Sequence, residues 1–159
     1  MLSRAALLIV AAMVAGCGFQ LQGAVTTPAA MDRTYIAAED RYSLFYRELR
    51  AQLRDAGVIL VESPQEATGT LSILVDETDQ RVLSVSARNV PTEYEVYYSV
   101  EYALASGEQS LMAPQFVTLT RDYTYDETLV LGKAREESLL RDAIAKDLVR
   151  IVLKQISSL

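Results

Sequence analysis

Residues 93–104 constrain the fold of this chain most strongly. The even-numbered positions of this segment are apolar or aromatic, whereas most of its odd-numbered positions are polar. A period of two is typical of a β-strand that has one covered face and one polar face. The segment therefore predicts an antiparallel sheet with a packed layer on only one of its sides.

Shorter patterns predict the other elements. We expect helices where apolar residues recur at helical spacing, and strands where short apolar runs end at turn residues. Asp40 is the expected N-cap of the first helix and Gly57 its C′ residue. The predicted strands are 34–37, 58–61, 71–75 with a continuation at 82–86, 93–104 and 116–125, and the predicted helices are 41–56 and 135–156.

The element order β-α-β-β-β-β-α predicts the fold class. It indicates an α+β two-layer sandwich, with two helices packed on one face of a mainly antiparallel four- to five-stranded sheet. The first strand, helix and second strand should form a right-handed crossover between parallel strands.

The first 17 residues indicate export and lipid attachment. Arg4 is followed by an apolar run over 5–15 that is too short to span a bilayer, and Cys17 follows three small or apolar residues. We predict a lipoprotein signal peptide at 1–16, a lipidated N-terminus and tether at 17–32, and a single α+β domain at 33–159. The alternatives are a plain secretory signal with an incidental cysteine, or an N-terminal helix.

Charge and residue inventory exclude several function classes. The chain has 15 Lys plus Arg against 21 Asp plus Glu, a net charge of −6, which disfavours nucleic acid and anionic membrane surfaces as partners. It has no histidine and one cysteine, so no His-based catalytic triad or imidazole metal site can form. We expect no enzyme activity, no catalytic residues, no metal and no cofactor. A hydrolase that uses carboxylates alone is the weakest of the functions considered.

Two isolated cations are candidate binding residues. Arg88 lies in the predicted turn between two long strands, and Lys133 precedes the predicted final helix. Cations at loop tips of an acidic domain suit contacts to anions. The alternative is that both are ordinary solvated loop charges.

Several segments together resemble one family. The opening at 17–23, Cys-Gly-Phe-Gln-Leu-Gln-Gly, the Leu-X-X-X-Leu spacing at 49–53, the Arg-containing turn at 88–94 and the segment 129–137 are similar to the LptE family of lipopolysaccharide-assembly lipoproteins. Two departures stand out. Gln22 occupies a position that is basic in the family, and the domain is acidic overall.

The resemblance implies a structural and binding role. It implies a lipid-anchored plug in the cell outer membrane, with the domain facing the periplasm and the lumen of an LptD-type β-barrel partner. It also implies lipopolysaccharide binding, with Arg88 and Lys133 at the positions of the family's basic contacts. The alternative is an accessory outer-membrane lipoprotein of a barrel-assembly or efflux complex.

Overall fold

A computed structural model describes residues 27–159, which form a two-layer α+β sandwich. The predicted lipid attachment at Cys17 and most of the predicted tether lie outside the described residues. Single turns of 3-10 helix precede the first strand, the third strand and the last helix, at Ala29–Met31, Pro64–Glu66 and Glu127–Leu129. The main elements are β1 (Arg33–Ala37), α1 (Leu44–Asp55), β2 (Ile59–Val61), β3 (Gly69–Val85), β4 (Pro91–Ser106), β5 (Gln109–Thr124) and α2 (Val130–Ile156).

The five strands form one mixed sheet in the order β2-β1-β3-β4-β5. β1 pairs in parallel with both of its neighbours, β2 and β3. The long strands β3, β4 and β5 form an antiparallel meander. The predicted fold class and the parallel pairing across the first helical connection are both confirmed.

The core lies between the two helices and one face of the sheet. α1 contributes Phe45, Leu49 and Leu53, which recur at helical spacing and are fully buried. Burying these side chains provides the main driving force for packing the helix layer onto the sheet. The sheet and α2 complete the core with Leu71, Val96, Tyr98, Val100, Tyr102, Leu104, Ile144, Leu148, Val149, Val152, Leu153 and Ile156.

The helix boundaries differ from the predicted ones. Ser43, and not Asp40, caps α1, because its side-chain oxygen accepts the backbone N–H of Tyr46 at 3.0 Å. The Asp40 carboxylate instead accepts the backbone N–H of Tyr42 at 2.7 Å, which closes a turn before the helix. α2 begins at Val130, five residues earlier than predicted.

The fifth strand is longer than predicted. β5 begins at Gln109, where it pairs with Ser106 across the turn at Gly107. Pro114 suggests a break in the sequence pattern, but β5 is an edge strand, where a residue without an N–H is tolerated. Pairing with β4 therefore overrides the local signal.

The two ends of the long strands face different parts of the chain. At the beginning of β3, a Cβ on Gly69 would lie 2.5 Å from the carbonyl oxygen of Ala30, so the chain entering the domain packs there. β3 is 17 residues long, which corresponds to about 55 Å of extended strand. The turn between β3 and β4 therefore lies at the opposite end of the sheet from the beginning of the described chain.

Candidate functional site

Arg88 lies at the tip of the turn between β3 and β4, as predicted. The turn is closed by backbone hydrogen bonds from Ser86 N to Val90 O, at 2.8 Å, and from Asn89 N to Ser86 O, at 2.9 Å. Asn89 has a φ of 60°, a left-handed conformation that asparagine tolerates better than most residues. This geometry leaves the Arg88 side chain exposed.

Lys133 lies in the first turn of α2, and the expectation that it precedes the helix is wrong. Its Nζ lies 2.8 Å from a carboxylate oxygen of Glu136, three residues along the helix. The Lys133 side chain is 18% exposed. Because Glu136 already compensates part of its charge, Lys133 is a weaker anion contact than an unpaired cation would be.

The fold brings the two cations to the same end of the sheet. The backbone N–H of Tyr125, just before the turn that leads into α2, donates to Thr92 O at 2.8 Å. Thr92 lies at the beginning of β4, directly after the Arg88 turn. The start of α2 and the Arg88 turn are thereby held at one end, which we call the cationic end.

Apolar side chains are exposed at the cationic end. In the last part of β3, Leu83 and Val85 are 48% and 51% exposed, and at the start of α2 Leu131 is 89% exposed. Val82, Leu129 and Val130 add to this exposed apolar surface. A cation beside apolar surface suits a ligand that is both anionic and apolar. The run Leu129-Val130-Leu131 was a sequence signal for this surface, but its exposure was not predicted.

Three tyrosines form an aromatic cluster close to the first half of α2. The rings of Tyr94 and Tyr123 stack with centroids 5.7 Å apart, and Tyr125 meets Tyr94 edge-on at 5.3 Å. Burial, and then the nearby Glu137 carboxylate, raise the pKa of Tyr123. Arg141 links this half of the helix to the sheet, because its Nη1 donates to the Thr78 hydroxyl at 2.7 Å.

The face of the sheet opposite the helices is acidic. Residues directly opposite one another on neighbouring strands share a face, and the partners of the odd-numbered β4 residues from Glu93 to Glu101 lie on this open face. Arg81 donates to both carboxylate oxygens of Glu95, at 2.8 and 3.0 Å, although only 7% of Glu95 is exposed. The carboxylates on the open face are Glu77, Asp79, Glu93, Glu95, Glu101 and Asp122, and they are interleaved with Tyr97, Ser99, Thr118 and Thr120.

Residues 27–159 contain neither a metal-binding cluster nor a membrane-spanning helix. Across this range, no group of three or more acidic, histidine or cysteine side chains is arranged to hold a metal ion. Nor is any helix in the same range long and apolar enough to cross a membrane.

Fold and surface together define a class: a small α+β domain with a helix-covered sheet, an acidic open face and a cationic end with exposed apolar groups. The family model described as "LptE: Lipopolysaccharide-assembly" matches residues 31–156. This chain belongs to the LptE family, which is a family of lipopolysaccharide-assembly lipoproteins and not a known enzyme family.

Named relatives agree with this assignment. The LPS-assembly lipoprotein LptE of Yersinia enterocolitica is 30% identical over 147 residues, covering 89% of this chain and 70% of the relative. The protein of the same name from Pectobacterium atrosepticum is 26% identical, covering 89% of this chain and 79% of the relative.

Solved structures share the fold. An uncharacterized lipoprotein B from Nitrosomonas europaea superimposes with a TM-score of 0.74 at 26% identity, covering 89% of this chain and 91% of that one. The rare lipoprotein B from Shewanella oneidensis gives a TM-score of 0.68 at 27% identity, covering 79% and 94%.

Proposed function

We propose that this chain is a lipid-anchored, lipopolysaccharide-binding subunit of the outer-membrane lipopolysaccharide translocon. In this role it plugs an LptD-type β-barrel and helps to deliver lipopolysaccharide to the cell surface. The observation that carries the binding part of the proposal is the cationic end. Arg88 and Lys133 lie there beside exposed apolar side chains, and lipopolysaccharide combines phosphates with acyl chains.

The distribution of charge supports the plug role. Barrel lumens are polar, so a plug benefits from polar surface where it meets the barrel wall. The open face supplies carboxylates and hydroxyls over residues 77–81 of β3, 93–101 of β4 and 118–122 of β5. The same negative charge repels phosphorylated lipid and favours its contact with the cationic end instead.

The position of the chain's entry supports lipid anchoring. The described chain begins beside the start of β3, at the end of the sheet opposite Arg88. The described chain therefore enters the domain away from the cationic end. Anchoring at the outer membrane is expected because Gly18, and not aspartate, follows the cysteine.

Charge reversal tests lipopolysaccharide binding at the cationic end. Arg88→Asp combined with Lys133→Asp should weaken lipopolysaccharide binding about fivefold to tenfold. Arg88 is exposed and Lys133 already pairs with Glu136, so each contact contributes roughly 0–1 kcal/mol and reversal adds repulsion. The loss should shrink in high salt, which screens exposed charges. Arg54→Asp combined with Lys146→Asp is the matched control, since it makes the same charge change on exposed helix-layer residues.

The apolar half of the same site has a separate test. Leu131→Ser should weaken lipopolysaccharide binding by an amount that does not depend on salt, and it should leave folding intact because Leu131 is almost fully exposed. If the Arg88/Lys133 variant and the Arg54/Lys146 control lose lipopolysaccharide affinity equally, and Leu131→Ser loses none, the cationic end is not the lipopolysaccharide site.

Co-purification tests the partner. Extraction of the lipidated protein in mild detergent should recover an LptD-type barrel in a one-to-one complex, in the outer-membrane fraction. Cys17→Ala should release the chain from that membrane unless the barrel alone retains it. Recovery with a barrel-assembly or efflux component would favour the alternative role instead.

A further inference from the structure

Two arginines hold a glutamate at the edge of the domain formed by α1, β1 and β2. Arg41 Nη1 lies 3.4 Å from one carboxylate oxygen of Glu62, and Arg50 Nη2 lies 3.2 Å from the other. The other terminal nitrogens of the two guanidinium groups lie 3.3 Å from the hydroxyls of Tyr35 and Tyr46. These five side chains form what we call the arginine clamp.

The carboxylate is held loosely. Charge-assisted hydrogen bonds between guanidinium and carboxylate groups usually measure about 2.7–2.9 Å. The nitrogen–oxygen distances are 2.8 Å in the Arg81–Glu95 pair and 2.7 Å in the Arg141–Glu137 pair, whereas both contacts to Glu62 are longer. The Glu62 side chain is 68% exposed, so it can rotate into water without disturbing the core.

Arg50, in contrast, is held in place. Arg50 is 25% exposed and its guanidinium lies over the ring of Tyr46, 5.6 Å from the ring centroid. Tyr46 itself is buried in the core of the helix layer. Arg50 is therefore the fixed cation of the clamp, and Glu62, the most exposed of its charged side chains, is the group that can leave.

We infer that the arginine clamp is a binding site for a phosphate group, and that Glu62 occupies it as an internal, displaceable anion. Two guanidinium groups without Glu62 carry a charge of +2, which matches a phosphate dianion. Planar guanidinium donors suit phosphate oxygens well. Each tyrosine hydroxyl accepts from an arginine and keeps its own proton to donate to a bound anion.

The clamp is separate from the cationic end. It lies at the β2 edge and on α1, whereas Arg88 lies at the far end of the β3–β4 hairpin. Phosphate binding at the clamp is independent of lipopolysaccharide binding at Arg88. A phosphate here comes either from a lipid headgroup or from free phosphate, and both present the same chemistry.

Phosphate titration of the full-length lipidated protein in detergent micelles tests the clamp. Inorganic phosphate should shift the Nε–Hε NMR signals of Arg41 and Arg50 in the wild-type protein. Glu62→Gln removes the competing charge and keeps the side chain's size, so it should tighten phosphate binding by about tenfold. Arg41→Gln in the Glu62→Gln background should abolish that gain.

Glu66→Gln is the matched control. Glu66 also faces an arginine, Arg33, at 3.8 Å, and its side chain is similarly exposed. That pair has one guanidinium where the clamp has two, so neutralising Glu66 should leave phosphate affinity unchanged. If Glu62→Gln and Glu66→Gln increased phosphate affinity equally, the increase would depend only on net charge, and the proposal would be overturned.

A second titration identifies the source of the phosphate. A phosphorylated glycolipid in the same micelles is compared with its phosphatase-treated form. If the intact lipid displaces inorganic phosphate and the phosphatase-treated lipid does not, the clamp binds a lipid headgroup. If inorganic phosphate binds and neither lipid displaces it, the clamp binds free phosphate. If no variant binds phosphate, the clamp is not a phosphate site and the inference fails. If binding is confined to Glu62→Gln, Glu62 is a permanent occupant and the inference fails as well.

Discussion

At the scale of single residues, Tyr98 connects the sheet to the helix layer. Its hydroxyl donates to Asp76 on β3 at 2.7 Å and accepts the backbone N–H of Phe45 in α1 at 3.0 Å. Ser43, the N-cap of α1, donates to the same carboxylate of Asp76. One buried hydroxyl thus joins β4, β3 and the first turn of α1.

The ionisation of Tyr98 makes stability depend on alkaline pH. Burial, and then the hydrogen bond to the Asp76 carboxylate, raise the pKa of Tyr98 well above its ordinary value. A group whose pKa is higher in the folded state contributes stability below its unfolded pKa, and the contribution is lost as pH rises through the folded pKa. The domain should therefore lose stability above about pH 10.

Tyr98→Phe tests this contact. The substitution leaves the Phe45 N–H and Asp76 without their hydroxyl partner, so we expect a loss of about 1–3 kcal/mol in the free energy of unfolding at pH 7. Urea denaturation at pH 7 and at pH 10.5 should show a smaller alkaline loss for the variant than for the wild type. Tyr97→Phe, on the open face, is the control, and equal alkaline losses in all three proteins would contradict the role of Tyr98.

At the scale of elements, glycines at two helix positions have opposite roles. Gly57 follows α1 with a φ of +85°, a backbone conformation that residues other than glycine adopt only at a cost in free energy. Gly132 lies within the first turn of α2, where a Cβ would meet open space. The sequence predicted the role of Gly57 but placed Gly132 before the helix.

The two alanine substitutions should change stability in opposite directions. Gly57→Ala should lower the free energy of unfolding by about 1–2 kcal/mol, because alanine is strained at that φ. Gly132→Ala should raise it by about 0.5–1 kcal/mol through helix propensity. Thermal unfolding of both variants measures the difference, and a stabilised Gly57→Ala protein would show that the helix end relaxes freely.

At the scale of the whole molecule, the open face concentrates negative charge. Asp122 on β5 is directly opposite Glu95 on β4, which already pairs with Arg81 on its other side. Like charges directly opposite on a sheet destabilise it. A face that reduces the stability of the isolated domain is typical of a surface that serves binding.

Neutralising that repulsion should stabilise the isolated domain. Asp122→Asn should raise the free energy of unfolding by about 0.5 kcal/mol in low salt, and the gain should disappear in 1 M NaCl, where the Debye length is about 3 Å. Glu108→Gln, in the exposed turn between β4 and β5, is the control. A gain that persists in high salt would mean that its origin is not electrostatic.

The sequence by itself determined the fold class, the order of the elements and the covered face of β4. Those features follow from periodicity, which depends on which side chains must leave water. It also located Arg88 in its turn, because turn residues act locally.

Only the tertiary structure decided the rest. β5 extends through Pro114 because β4 pairs with it, and Ser43 replaces Asp40 as the N-cap because the Ser43 side chain reaches both Tyr46 and Asp76. The cationic end brings Leu131 to the same end of the sheet as Arg88, and the clamp joins Glu62 to Tyr35, Arg41, Tyr46 and Arg50. Such contacts depend on how the elements pack, which local patterns do not specify.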